Sequence, residues 1–152
     1  DVVKVTSAAE MADVVKSKAA EQDIIIMTAA VADFCPSHPA DEKIKKNDSS
    51  YESVIELERT EDILSYLGAH KAKGQLICGF SMETQNMLEN SKAKLAKKNA
   101  DMIVANNLKV AGAGFGTDTN VVTLITADDC TELEIMDKSC VAARIMDRLL
   151  KM

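Results

Sequence analysis

Residues 24–34 are Ile24-Ile25-Ile26-Met27-Thr28-Ala29-Ala30-Val31-Ala32-Asp33-Phe34, and this stretch decides the fold. Its four large apolar residues predict a strand that is buried on both faces of a sheet. The alanines that follow occupy little space at the carboxyl end of the strand, which is where open α/β sheets bind their ligands. Asp33 then supplies a carboxylate that can bind a hydroxyl, an amine or a metal ion. The alternative is a core strand whose Asp33 only caps a turn.

Strands and helices alternate on both sides of this stretch. Apolar runs predict further strands at residues 2–5, 76–80 and 102–105, and a helix is predicted from Asn86 to about Lys98. A hairpin of residues 121–125 and 133–135 and a helix from about Ser139 end the chain. This order predicts an α/β fold, namely a Rossmann-like, doubly wound, mostly parallel sheet with an antiparallel C-terminal edge hairpin.

Capping residues and turns predict the local boundaries. Ser7 and Glu10 have the spacing of a capping box that starts the first helix. Thr60 is predicted to cap a short helix over residues 61–67 that Gly68 ends. Between these helices, residues 35–41 are predicted as a loop, and the basic residues 43–46 and an edge strand at 55–58 as a protruding arm.

Length and charge limit the possible functions. The chain has 152 residues and a net charge of −6, which predict one domain over residues 1–152 and argue against a binder of nucleic acid or membrane surfaces. No apolar run approaches the length of a membrane span. The four cysteines have no C-x-x-C spacing, so we expect free thiols in a cytoplasmic protein without a structural zinc site. Because the sequence starts without Met, we expect a piece of a longer chain.

Two clusters of lysines lie just beyond predicted strands. Lys43, Lys45 and Lys46 follow the strand that begins at Ile24, and Lys43 and Lys45 point the same way if the segment is extended. Lys94 and Lys98 share one face of the predicted helix, so both can reach one polyphosphate. Each cluster alone is also typical of a solvated surface. Their coincidence in an acidic protein favours phosphate binding.

Two further patterns carry little weight. Residues 112–116 contain three glycines like a dinucleotide loop, but they lead to a strand instead of opening a helix, as that fingerprint requires. An oxidoreductase-like dinucleotide domain is therefore disfavoured. Cys35 and His38 could act as nucleophile and base, but a loop that contains two prolines defines no geometry for them.

Several short motifs occur in order along almost the whole chain. They are Ala29-Ala30-Val31-Ala32-Asp33-Phe34, Lys43-Ile44-Lys45-Lys46, Thr60-Glu61-Asp62-Ile63-Leu64, Gly79-Phe80-Ser81-Met82-Glu83-Thr84, Asp101-Met102-Ile103-Val104-Ala105-Asn106 and Gly114-Phe115-Gly116. In this order the chain resembles phosphopantothenoylcysteine synthetase, the ligase half of the bacterial bifunctional coenzyme A biosynthesis flavoprotein. The first two motifs together, at this spacing, are specific for the family, whereas neither motif alone is specific.

The resemblance implies an enzyme that joins 4′-phosphopantothenate to cysteine. It would use CTP and Mg²⁺ through an acyl-cytidylate intermediate, release pyrophosphate and form a homodimer through the arm. FMN would be needed only if the parent protein also carries the decarboxylase half. Lys43 would be catalytic, because it would meet the phosphates and stabilise charge during activation. The residues implied to bind CTP are Met27, Thr28, Ala29, Asp33, Lys43, Glu61, Asp62, Ile63, Leu64, Phe80, Lys94 and Lys98, and no protein ligand to a metal is implied.

The chain departs from the family pattern at three places. Cys35 stands where the family usually has a basic residue, and Glu61 replaces the usual Pro. The family's opening Gly-rich unit, with its Ser-Ser-Gly-Lys segment and catalytic Asn, has no counterpart in these residues. We therefore expect the 152 residues alone to make no phosphopantothenoylcysteine. A non-catalytic nucleotide-binding domain and an ATP-using ligase of the same family are the alternatives.

Overall fold

The computed structural model describes residues 1–40, 42–43, 54–83, 86–107 and 116–152. The helices in these ranges are α1 (Ala8–Ala19), α2 (Ile63–His70), α3 (Met87–Lys98) and α4 (Lys138–Leu149). The strands are β1 (Ile24–Met27), β2 (Phe34–Pro36), β3 (Leu57–Arg59), β4 (Leu76–Glu83), β5 (Met102–Asn107), β6 (Thr119–Asn120), β7 (Val122–Ile125), β8 (Cys130–Glu132) and β9 (Met136–Asp137).

The central sheet has the strand order β1-β4-β5-β7-β8. β1, β4 and β5 run parallel, and β7 and β8 add antiparallel to β5. Because parallel neighbours share a direction, β1 and β4 point to the same end of the sheet, where β4 continues to Glu83 beyond the pair of Met27 with Gly79. The predicted α/β class with an antiparallel C-terminal edge is confirmed.

Helices cover both faces of this sheet. Ile24 and Ile26 pack on one face against a core cluster that contains residues of α4. Ile25 and Met27 pack on the other face, against a cluster from α1 and α2. The alternation of side chains along β1 explains this division. The residues of β1 are only half-buried, so the prediction of a strand buried on both faces was wrong. β1 is less buried than expected because β4 is its one described neighbour in the sheet.

The predicted first strand at residues 2–5 is absent from the structure. These residues have no regular secondary structure, and Val2 is 89% exposed. A strand needs a neighbour for its backbone N–H and C=O groups, and none of the described strands pairs with this segment. The apolar residues of this segment are therefore not sufficient to form a strand without a neighbouring strand to pair with.

The first helix begins at the predicted cap. Ser7 Oγ accepts a hydrogen bond from Glu10 N–H at 3.2 Å. The carboxylate of Glu10 accepts from Thr6 N–H at 2.7 Å and from the Thr6 hydroxyl at 2.9 Å, one residue further back than a standard capping box. The backbone hydrogen bond from Thr6 lowers the pKa of Glu10, so this cap is made by a carboxylate.

The second helix differs from its prediction at both ends. Asp62, not Thr60, is the N-cap of α2, and its carboxylate accepts from Ser65 N–H at 2.9 Å. Thr60 instead donates through Oγ1 to Ala32 O at 2.5 Å. Gly68 lies inside α2 and is buried, and an added Cβ there would stand 1.8 Å from the backbone oxygen of the last residue of α3. Gly68 therefore permits close packing of two helices and does not end one.

The loop predicted at residues 35–41 begins with strand residues, and the strand predicted at residues 55–58 is present but begins two residues later. Phe34–Pro36 forms β2 and pairs with β3 at Leu57–Arg59. The rest of the predicted arm lies mostly outside the described residues, and so do residues 44–46, Thr84 and residues 114 and 115 of the quoted motifs.

The strand that follows the turn of the C-terminal hairpin begins earlier than predicted. Thr126 N–H donates to Asp129 O at 2.9 Å, and this tight turn places Cys130 opposite Ile125. β8 is therefore Cys130–Glu132, and the prediction of a partner strand at residues 133–135 was wrong.

We expect Gly68→Ala to destabilise the protein by about 1–3 kcal/mol, because the added methyl group would meet backbone atoms of α3. Without this contact, alanine would stabilise a helix by about 1 kcal/mol. Urea unfolding measures the difference. The control is Ala69→Gly at the exposed neighbouring position, which should cost up to about 1 kcal/mol. A more stable Gly68→Ala variant would contradict the close approach of α2 and α3.

Candidate functional site

A cavity of about 190 Å³ lies beyond the carboxyl end of β1 and beside the middle of β4. Its walls come from the segment after β1, the turn into α2, the middle of β4 and one face of α3. The lining residues are Met27, Ala29, Val31, Ala32, Asp33, Thr60, Glu61, Asp62, Ile63, Leu64, Phe80, Lys94 and Lys98. Most of the residues that the sequence predicts for a nucleotide site thus meet in one place.

Two predicted residues do not line this cavity. Thr28 and Lys43 are exposed and are not part of its wall. Among the described wall residues, Val31, Ala32 and Thr60 were not predicted to bind a ligand. The hydrogen bond from Thr60 to Ala32 O joins residues far apart in sequence, so no local pattern could indicate it.

The two lysines of α3 both face the cavity. Lys94 Nζ donates to Phe80 O of β4 at 2.7 Å. Lys98 Nζ forms an ion pair with the carboxylate of Asp62 at the start of α2. The two ammonium groups therefore stand beside the sheet edge and beside the turn into α2, as their shared helix face predicts.

A buried polar contact fixes the orientation of α3. Ser91 and Leu95 are the buried residues of this helix. The hydroxyl of Ser91 pairs with that of Ser81 on β4 at 2.7 Å. This contact holds α3 against β4, so the lysines on the same side of the helix reach the cavity.

Asp62 links the two helices that form the cavity wall. Burial alone would raise the pKa of its carboxyl, but the hydrogen bonds from Lys98 and from Ser65 N–H outweigh burial and hold the pKa below its ordinary value of 3.8. Asp62 is therefore ionised at neutral pH, where it caps α2 and pairs with Lys98 of α3. The wall of the cavity thus depends on a single carboxylate that serves two helices.

Glu61 connects the same wall to α1. Its Oε2 lies 2.6 Å from Lys16 Nζ, and Lys16 also stands over the ring of Tyr66 at 5.4 Å from the centroid. The hydrogen bond with Glu61 raises the pKa of Lys16. Lys16 could not be predicted from the sequence, because it lies on α1, far from Glu61 in the chain, and belongs to none of the motifs.

The cavity is lined by apolar side chains and by both acidic and basic side chains. Met27, Ile63, Leu64 and Phe80 supply apolar surface, and Gly79 leaves room for Leu64, since a Cβ there would stand 2.6 Å from Leu64 Cδ2. Ligand sites typically combine such surface with a few polar groups over about 300–1,000 Å³. This cavity is smaller, so it can enclose only part of a nucleotide-sized ligand.

The structure offers no metal site of its own in the ranges it describes, because no group of three or more Asp, Glu, His or Cys side chains is placed to hold an ion. The predicted Mg²⁺ stays a prediction and would have to arrive with the phosphates of a ligand. None of the described helices has the length and apolar character that crossing a bilayer requires.

Comparison with known proteins matches the full chain to one family. Residues 1–152 match the family model described as DFP, the DNA/pantothenate metabolism flavoprotein C-terminal domain. The chain is 47% identical over 148 residues to the coenzyme A biosynthesis bifunctional protein CoaBC of Bacillus subtilis (strain 168), covering 97% of this chain and 36% of that protein. It is 46% identical over 151 residues to a protein named Cysteine/Cysteine sulfinic acid decarboxylase from an unknown prokaryotic organism, covering 99% of this chain and 42% of that protein. The chain therefore spans less than half the length of these curated relatives.

Solved structures show the same fold. The C-terminal domain of a coenzyme A biosynthesis bifunctional protein CoaBC superposes with a TM-score of 0.77 at 41% identity, over 99% of this chain and 66% of that one. A Cab2 mutant in complex with phosphopantothenate-cysteine has a TM-score of 0.69 at 18% identity, over 98% of this chain and 52% of that one. At that identity the second likeness shows the fold alone.

We expect Asp62→Asn to lower stability at neutral pH, because asparagine keeps the helix cap but loses the ion pair with Lys98. The folded-state pKa of Asp62 is lowered, so its contribution is present above the ordinary value of 3.8 and is lost as the pH falls through the lowered pKa. The difference from the wild type should therefore shrink below pH 3.8, as measured by urea unfolding across the acid range.

The matched variant is Asp62→Ala, which removes the cap as well. Relative to Asp62→Asn, it should lower the free energy of unfolding by roughly a further 0.5–2 kcal/mol at every pH. If the free energy of unfolding of Asp62→Asn stays below that of the wild type by the same amount down to acid pH, the ion pair with Lys98 does not stabilise the protein.

Proposed function

This chain belongs to the family of DNA/pantothenate metabolism flavoprotein C-terminal domains, and we propose that it supplies the nucleotide-binding part of a ligase in coenzyme A biosynthesis. The reaction would be CTP-dependent ligation of 4′-phosphopantothenate to cysteine through an acyl-cytidylate intermediate. The similarity to the coenzyme A biosynthesis protein CoaBC of Bacillus subtilis supports this role. The observation that carries it is the meeting of Asp33, Phe80, Lys94 and Lys98 around one cavity.

Each part of the cavity suits one part of a nucleotide. Phe80 and Met27 offer apolar surface to a base, and Asp33 can accept hydrogen bonds from a hydroxyl or an amine. Lys94 and Lys98 supply the positive charge that phosphates require. Because the cavity is smaller than a typical ligand site, part of the triphosphate would extend beyond it.

Lys43 would act on that outer part of the ligand. It is exposed and does not line the cavity, so a catalytic role requires its ammonium group to reach the part of the bound nucleotide that extends outside. An ammonium group placed there would stabilise the negative charge that develops on the phosphates as the carboxylate attacks. Mg²⁺ would bind with the triphosphate, and the arm after β2 would join two copies into a homodimer.

The relative named as a decarboxylase does not favour a different reaction at this cavity. That protein shares this chain over 42% of its own length, so its name does not assign decarboxylation to these residues. FMN would be required only by a decarboxylase part elsewhere in the parent protein. The ligase therefore remains the proposal, with ATP as the competing nucleotide to be tested against CTP.

We expect Lys43→Ala in the intact protein to reduce turnover at saturating CTP by about 10²-fold or more, whereas the affinity for CTP should change little. The reason is that the lysine would act on charge that develops only in the transition state. Pyrophosphate release in the presence of phosphopantothenate, cysteine and Mg²⁺ measures turnover. Calorimetry with CTP and with ATP measures affinity and nucleotide preference. Unchanged turnover would remove Lys43 from the mechanism.

We expect the double variant Lys94→Gln, Lys98→Gln to bind CTP at least about tenfold more weakly, because two cations that contact phosphates are lost. The measurement is calorimetry at low salt, where such contacts are strongest. The control is Lys92→Gln, on the same helix but outside the cavity wall. Equal affinities of the double variant and the control would show that Lys94 and Lys98 form only a solvated surface.

A further inference from the structure

Lys16 is held against the outer side of the cavity wall. Its Nζ lies 2.6 Å from Glu61 Oε2 and 3.7 Å from Asp13 Oδ1. The same ammonium group stands 5.4 Å from the centroid of the Tyr66 ring. Lys16 is not among the residues that line the cavity, but Glu61 is, so the ion pair with Glu61 places the charge of Lys16 directly behind the wall.

The charges of the cavity explain why this contact matters. Among the described residues of the wall, Asp33, Glu61 and Asp62 carry three carboxylates, against the two ammonium groups of Lys94 and Lys98. The second of these lysines already pairs with Asp62. Without a further cation, Glu61 would repel an anionic ligand across the width of the cavity.

We propose that Lys16 is a positioning residue of the nucleotide site, which neutralises Glu61 and thereby lets the cavity accept a triphosphate. This inference rests on the proposed function, because it concerns the binding of CTP. The hydrogen bond with Glu61 raises the pKa of Lys16, so Lys16 stays charged across the neutral range. Its position over the Tyr66 ring adds a second attraction that keeps the ammonium group in place.

A purely structural tether would give a different pattern of effects. If the ion pair only held α1 against the turn into α2, then removing either charge would weaken CTP binding. If Lys16 neutralises Glu61, removing Lys16 weakens binding, whereas removing the charge of Glu61 strengthens it. The signs of the two single variants therefore separate the two roles.

The experiment measures CTP binding to the intact protein by calorimetry with Mg²⁺, at low and at high salt. Lys16→Met should weaken binding by about three- to tenfold at low salt, and the loss should shrink at high salt. Glu61→Gln should tighten binding by about two- to fivefold, and the double variant should return to within about twofold of the wild type. Lys16→Arg keeps the charge and should bind CTP like the wild type.

The control is Lys18→Met, which removes the same charge from an exposed position of the same helix and should leave CTP affinity unchanged. Thermal unfolding of every variant separates loss of binding from loss of folding. If the wild type binds CTP and Lys16→Met binds it equally well, the role of Lys16 is overturned while the proposed function stands. If both single variants weaken binding, Lys16 is a tether and the inference is overturned. If the wild type does not bind CTP, the proposed function itself fails.

Discussion

The contact between α2 and α3 is the interaction on which the rest of the site depends. Gly68 brings the backbone of α2 against the last carbonyl group of α3, and Asn99 Nδ2 donates to Gly68 O at 2.7 Å. At the other end of α2, Asp62 pairs with Lys98. These contacts fix the distance between the turn at Glu61 and the lysines of α3, and that distance sets the width of the cavity.

The three lysines at and behind the wall of this cavity have partners inside the protein. Lys94 donates to a backbone carbonyl of β4, Lys98 pairs with Asp62, and Lys16 pairs with Glu61. An anionic ligand that binds Lys98 therefore competes with a carboxylate, so its affinity reflects the difference between two interactions. The same pairing gives each of these partly buried charges a counter-ion or a hydrogen-bond acceptor, which limits the cost of removing it from water.

The sequence predicts those features that arise from local patterns. The apolar run at residues 24–27 and the helical spacing of the α3 lysines predict their elements, and the parallel strands then bring both to the same edge of the sheet. Features that join distant segments could not be predicted. Lys16 meets Glu61 only because α1 packs beside α2, and residues 2–5 lack a strand because strand formation depends on a neighbour.

The rotation of α3 about its axis shows how a buried polar contact can determine a surface site. The hydroxyls of Ser81 and Ser91 pair at 2.7 Å in the core, and turning the helix would leave both buried without a partner, at a cost of about 1–3 kcal/mol for each. Lys94 and Lys98 follow Ser91 by three and seven residues, so they lie on the same side of the helix. A purely apolar contact would tolerate small rotations with less loss, because it has no direction. The Ser81–Ser91 pair therefore directs both lysines to the carboxyl edge of the sheet.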